Sequence, residues 1–260
     1  MEKSGNCPDY PFIPGGKTLI FLKTVAAFAF TVFAVVSFLI PGLPAYFLSF
    51  LGLKKPMSWV LYSLGRFWSS SLIAITGCTV DIRGREHIPR SGGVCFASNH
   101  SGVADILFAL AYIGRPFGFI AKKELLLVPL MNIWISILGG LFIDRKNIRK
   151  AVKTINHGIE RIQKGEAMLI FPEGTRSKGR GLLPFKSGAI KLATNSKAPI
   201  VPIAISGTYE VFEKDYRVHA VPVRVIFCPP IYTENMSPEE RRHKLADQVR
   251  EIIQIELDKD

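Results

Sequence analysis

Two hydrophobic textures divide the chain. From residue 19 to 40 apolar and small residues run almost without a break, interrupted by Lys23 and the hydroxyl residues Thr24, Thr31 and Ser37. Such a run is long enough, as a helix, to cross a bilayer. Pro41-Gly42-Leu43-Pro44 is expected to break it. The apolar pattern then resumes over 45–53, reaches Lys54-Lys55-Pro56, and continues through Trp59, Leu61, Tyr62, Leu64, Phe67 and Trp68. Aromatics beside Arg66 suit a helix lying at a membrane interface. Two topologies fit: a span over 19–40, or a helical hairpin that turns at 41–44 and returns Lys54-Lys55 to the side of Lys17 and Lys23. The shared positive flanks favour the hairpin. The apolar core is too long, and the polar leader over 1–17 too little basic, for a signal peptide.

From about residue 77 the pattern changes to short strands alternating with helices. Strands are predicted over 80–83, 94–97, 117–121, 141–143, 167–171, 200–205 and 221–227. Helices are predicted over 104–113, 130–138, 147–163, 185–196 and 238–257. The 147–163 helix carries Ile148, Val152, Ile155, Ile159 and Ile162 on one face, and the last helix carries Leu245, Val249, Ile252 and Leu257. This alternation implies an α/β fold with a largely parallel sheet flanked by helices, preceded by an N-terminal membrane-associated helical segment. The expected division is 1–76 for the leader and anchoring helices and 77–260 for the α/β domain. No internal repeat or low-complexity segment is present.

Composition narrows the partners. Lys and Arg number 33 against 21 Asp and Glu, a formal charge of +12, which favours an anionic partner. With a 48% hydrophobic share weighted toward the N-terminus, an anionic membrane surface fits that charge better than nucleic acid does. The four cysteines, Cys7, Cys78, Cys95 and Cys228, form no CxxC pair and no ligand-like spacing with histidine, so reduced thiols and no metal site are expected. That suits a domain facing the cytoplasm. Gly15-Gly16-Lys17-Thr18 resembles the end of a phosphate-binding loop, but position 11 is proline and no strand precedes it, so that reading is rejected.

The chemistry gathers where strands end, which is where open α/β sheets bind ligands. After strand 94–97 come Ser98-Asn99-His100-Ser101-Gly102-Val103-Ala104-Asp105. His100 and Asp105 would lie about 140° apart within one helix. They meet only if His100 is in the turn and Asp105 opens the helix, with Ser101 as a cap. Taken alone, the pair fits a general base and a structural histidine equally well. Asp144-Arg145 follows strand 141–143, and Pro172-Glu173-Gly174-Thr175-Arg176-Ser177 follows strand 167–171. Gly174 permits a turn whose N–H groups face an anion, and Arg176, Arg145 and Lys122 are candidate cations for a phosphate. Three such clusters together favour a site. Glu173 is expected to support Arg176 or Arg145. Lys146, Arg149 and Lys150 are read as a solvated basic face, and so is Arg241-Arg242-His243-Lys244; His87, His157, His219 and His243 receive no role.

Asn99-His100-(four residues)-Asp105, Gly140-Leu141-Phe142-Ile143-Asp144-Arg145, Phe171-Pro172-Glu173-Gly174-Thr175-Arg176-Ser177 and Val201-Pro202-Ile203-Ala204 stand in the order and spacing of the glycerolipid acyltransferases. Over about residues 75–230 the chain most resembles the 1-acylglycerol-3-phosphate O-acyltransferases, with no departure in the motif residues. The resemblance implies acyl transfer from acyl-CoA or acyl-carrier protein to the free hydroxyl of lysophosphatidic acid, forming phosphatidic acid in phospholipid synthesis. It makes His100 the base with Asp105 behind it. It places Arg145, Glu173, Gly174, Thr175 and Arg176 in the acceptor site and Lys122 on the phosphate, with no cofactor beyond the donor substrate. Attack would be direct, since no Ser or Cys is placed as a nucleophile. The competing readings are a different lysolipid acceptor, an acyl-thioester hydrolase, and a non-catalytic lipid-binding protein.

Overall fold

A computed structural model describes residues 16–234 and 236–259; the leader, including Cys7, lies almost wholly outside the described residues. Helix α1 (Lys17–Leu48) does not break at 41–44 but runs through Pro41 and Pro44. A proline costs a helix one hydrogen bond and crowds the preceding turn. In apolar surroundings no water competes for the remaining backbone groups, so the helix persists. The turn comes instead at Ser49–Leu53, where Gly52 has φ +88°, a conformation that favours glycine. Helix α2 (Lys54–Thr76) then packs back along α1 as a hairpin.

That hairpin is tied to the rest of the chain along its whole length. At its open end Lys23 Nζ donates to the Thr76 carbonyl at 3.1 Å, closing α1 on α2, and Thr24 Oγ1 accepts from the Val218 N–H of the α/β part at 2.9 Å. Midway the Phe38 ring meets Trp134, with centroids 6.0 Å apart. At the turn end Lys54 pairs with Glu166. Lys54-Lys55 therefore sit at the opposite end of the hairpin from Lys17 and Lys23, not beside them as the turn at 41–44 required. Phe21, Phe28, Phe33, Ile40, Phe47 and Leu51 are each at least 65% exposed on the outer face. An uncovered apolar surface of this extent is a membrane-associating one.

Gly77, at φ +75°, ends α2 and leads into the sheet. The elements follow as β1 (Thr79–Arg83), β2 (Val94–Ser98), α3 (Asp105–Tyr112), β3 (Phe117–Lys122), α4 (Met131–Ile137), β4 (Leu141–Ile143), α5 (Ile148–Gln163) and β5 (Ala167–Ile170). Then come α6 (Ser187–Ser196), β6 (Ile200–Ser206), α7 (Thr208–Phe212), β7 (Pro222–Phe227), α8 (Pro238–His243) and α9 (Leu245–Leu257). The strands form one sheet in the order β1-β7-β6-β2-β5-β3-β4, parallel except for the β6–β7 pair. The α/β architecture expected from the alternation is the one observed.

Strands β2 and β5 are buried at every residue because helices cover both faces of the sheet. Phe96 points into one core with α1, α2, α3 and α4; its neighbour Cys95 points into the other, with α5, α6 and α9. Phe96 and Phe108, almost fully buried, each contribute about 2 kcal/mol by the usual burial scale.

Two helices differ from expectation. The closing helix is split at Lys244, and Ile253 rather than Ile252 joins Leu245 and Val249 as its fully buried residues. Of the apolar face predicted for α5, only Ile155, Ile159 and Ile162 are buried; Ile148 is 80% and Val152 49% exposed. Strand β4 has three residues, so the first turns of the sixteen-residue α5 run past its cover.

Candidate active site

The turn after β2 is held from both sides. Asn99 pairs with the backbone of Ile205 on β6, its Oδ1 accepting from N–H and its Nδ2 donating to C=O, both at 2.8 Å. An amide used this way extends the sheet by one rung, so Asn99 fixes where β2 ends rather than touching substrate. His100 follows with its Nδ1 2.7 Å from Asp105 Oδ2 and its ring stacked on Phe171, centroids 4.0 Å apart. Asp105 is fully buried at the first position of α3. Its Oδ2 also accepts from the Gly102 N–H at 3.0 Å, and its Oδ1 accepts from the Thr208 hydroxyl. An ionised carboxylate only accepts, so Nδ1 carries the proton and donates it in the hydrogen bond, and Nε2 keeps the lone pair. Ser101 is not the helix cap: Ala104 holds that place, and the Ser101 hydroxyl instead accepts from Asn99 at 3.4 Å.

The 173–178 loop docks against this turn. Ser177 N–H donates to the His100 carbonyl at 2.7 Å and Lys178 N–H to that of Ser101 at 3.1 Å. Glu173, 1% exposed, accepts from the His100 N–H at 2.6 Å and the Leu183 N–H at 3.0 Å. Both oxygens are spent on backbone, so Glu173 supports the catalytic turn, not Arg176 or Arg145, and presents nothing to a ligand. Burial pushes its carboxyl above the ordinary value, with the two N–H groups opposing. The folded protein then holds that proton more tightly than the unfolded chain, so this contribution to stability falls as pH rises from about 4.3 through the raised value. Thermal melts across that range should show the difference in Tm between wild type and Glu173→Gln shrinking with rising pH. A constant difference would rule out titration of this group.

Gly174 adopts the left-handed turn at φ +68°, and its carbonyl accepts from Arg145 Nη1. Thr175 beside it is exposed. Arg176 is half-exposed and gives Nη1 to Glu213 Oε1 at 2.6 Å, while Glu213 Oε2 accepts from the Val103 N–H at 2.6 Å. Asp144 pairs with Lys123 at 2.7 Å, which holds its carboxyl below the usual range. Lys122 ends β3 exposed, 3.6 Å from Glu124. The structure thus joins His100, Asp105, Glu173, Gly174, Arg145 and Arg176 through one continuous set of contacts, whereas Lys122 stands outside it. Thr208 and Glu213 belong to the set and were not anticipated. Thr208 lies just past the end of β6, so the strand-end rule would have found it. Glu213 carries no such signal.

The arrangement suits a base. Among the described residues no serine or cysteine bonds the His100 ring, and burial pushes the thiols of Cys95 and Cys228 up, the latter to about 12. What remains is an imidazole backed by a buried carboxylate, with two guanidinium groups on the neighbouring loops.

The profile of the family described as Acyltransferase matches residues 79–206, which hold every one of these groups except Thr208 and Glu213. The 1-acyl-sn-glycerol-3-phosphate acyltransferase of Escherichia coli is 34% identical over 193 residues, covering 73% of this chain and 78% of that one. The enzyme of that name from Limnanthes douglasii is 34% identical over 195 residues, 74% of this chain and 66% of its own length. Among solved structures, the 1-acyl-sn-glycerophosphate (LPA) acyltransferase of Thermotoga maritima superposes with a TM-score of 0.78 at 26% identity, covering 94% and 96% of the two chains. With the fold shared nearly end to end and the His100–Asp105 turn inside the matched region, the chain belongs to the 1-acyl-sn-glycerol-3-phosphate acyltransferase family.

Proposed function

We propose that the protein transfers an acyl group from an acyl thioester to the free hydroxyl of 1-acylglycerol-3-phosphate, forming phosphatidic acid at a membrane surface. The observation that carries this reading is the His100–Asp105 contact at 2.7 Å, which leaves Nε2 without a partner among the described residues at a strand end. An alcohol is too weak an acid to attack a thioester unaided. Nε2 takes its proton as the oxygen bonds to the carbonyl carbon, and Asp105 stabilises the imidazolium. As the C–S bond breaks, the proton passes from Nε2 to the departing sulfur, and the base is restored.

Arg176 keeps Nε and Nη2 for an acceptor phosphate while Nη1 stays on Glu213, and Arg145 supplies a second cation from across the Gly174 turn. Lys122 is the third candidate, reaching in once the acceptor arrives. The hairpin suits a lipid acceptor: its apolar outer face enters the bilayer, and its contacts at both ends, Thr24 with Val218 and Lys54 with Glu166, keep the α/β part against the same surface, on the cytoplasmic side. Protease added outside right-side-out vesicles should leave the α/β part intact, and protease added to inverted ones should cleave it; the opposite pattern would reverse the orientation.

The direct test is a panel of acceptors given to the purified protein with acyl-CoA in liposomes. 1-Acylglycerol-3-phosphate should be the preferred acceptor. Preference for a lysolipid lacking the phosphomonoester would overturn the choice of acceptor.

A further inference from the structure

The start of α5, left uncovered by the short β4, forms one wall of a groove of about 680 Å³ against that edge strand. Leu141, Phe142 and Val152 give it an apolar floor, and Arg149, Lys150 and Lys153 give it a cationic rim. None of these three cations is in an ion pair among the described residues. The one acidic side chain in the lining, Glu160, stands two turns further along α5, past His157. From sequence Arg149 and Lys150, with Lys146, read as a solvated face; their place beside Lys153 around uncovered apolar surface is poorly explained that way.

We infer that this groove binds the phosphorylated nucleotide of an acyl-CoA donor, the adenine on the apolar floor and the phosphates on Arg149, Lys150 and Lys153. The inference rests on the acyl-transfer reading above and adds the place where the donor is held. Three observations select this occupant. The volume is that of a small-molecule site, and its lining, with more polar residues than apolar ones and three cations, suits a ligand that is itself mostly phosphate and polar. The groove lies on the sheet face of α5, α6 and α9, opposite the face that carries the hairpin, so a bilayer holding α1 does not present its headgroups here.

The distance also fits. β4 stands three strands from β2 in the order β2-β5-β3-β4, about 14 Å at the usual strand spacing. A pantetheine arm, comparable to four or five extended residues, spans about 15 Å. Between groove and His100 lie Arg145 and the Gly174 turn it holds, which leaves the thioester end of such an arm at the base.

The test uses the full chain in detergent micelles, with adenosine 3′,5′-bisphosphate as probe. Calorimetry should show it binding at one site per chain. In the variant Arg149→Gln/Lys150→Gln/Lys153→Gln, affinity for the probe should fall, and KM for acyl-CoA rise, by at least about tenfold, as loss of charge-assisted bonds implies. The kcat, and the KM for an acyl-pantetheine that lacks the nucleotide, should stay within about twofold, which also reports an intact fold. His100→Ala should bind the probe as wild type does.

No binding of the probe by wild type, or an unchanged KM for acyl-CoA in the triple variant, would overturn the inference. So would a rise in KM confined to acyl-carrier protein, which would make the rim a protein-docking surface. If wild type forms no phosphatidic acid at all, the acyl-transfer reading falls, while the probe titration still decides whether the groove takes the nucleotide.

Discussion

His100→Ala should lower kcat for phosphatidic acid formation by about a thousandfold, close to 4 kcal/mol of barrier, and leave the fold intact. The ring offers Nε2 as the proton acceptor, since its Nδ1 is committed to Asp105 and no hydroxyl or thiol of the described residues bonds it. The fold should survive because the contacts that shape this turn belong to the backbone. The His100 N–H on Glu173 and the His100 carbonyl on Ser177 remain in the variant. What is lost besides the base is one partly exposed ring against Phe171 and one of the three donors to Asp105, whose Oδ2 keeps the Gly102 N–H. Single-turnover product formation reads the first part, and thermal melting with liposome flotation reads the second. Activity within about tenfold of wild type would remove His100 from the mechanism.

Asp105→Ala should do comparable damage by a different route. The carboxylate collects three donors in a fully buried position: His100 Nδ1, the Gly102 N–H and the Thr208 hydroxyl. Alanine strands the two donors that do not reorient freely, at about 1–3 kcal/mol each, so Tm should fall together with kcat. Asp105→Asn separates the two effects. An amide can keep its oxygen toward His100 and Gly102 and turn its NH2 to the Thr208 hydroxyl, which rotates to accept. Geometry and tautomer are then preserved and only the charge is lost. A fall of about a hundredfold in kcat with little change in Tm is expected for Asn. Equal melting of the Asn and Ala variants would mean that Thr208 does not rotate as described.

Where the sequence was read correctly, local patterning and the physics of layers agree. Continuous apolar runs such as Val94-Cys95-Phe96-Ala97 have few stable places outside a sheet covered on both faces, and β2 is there. His100 and Asp105 were legible because a single turn brings them together. The misreadings share a cause: each depends on what surrounds a segment. Pro41 and Pro44 would end a helix in water, yet here they lie in a long helix with an apolar outer face, and Gly52 makes the turn. Ile148 and Val152 follow the same helical period as Ile155, but a three-residue β4 leaves them uncovered. Glu173 was expected beside an arginine because it is close to one in sequence; the backbone N–H groups of His100 and Leu183 claim it first. Arg176 instead meets Glu213, 37 residues away, a pairing no local pattern announces.

The central claim is direct transfer to a lipid hydroxyl by a histidine base with no acyl-enzyme. It is tested most directly by following free thiol and phosphatidic acid together after mixing wild-type protein with acyl-CoA, with and without 1-acylglycerol-3-phosphate in liposomes. The expected result is thiol release that depends on the acceptor, with one phosphatidic acid formed for every thiol, and neither in His100→Ala. Thiol release at the same rate without acceptor would contradict the claim and mark the protein as a thioester hydrolase.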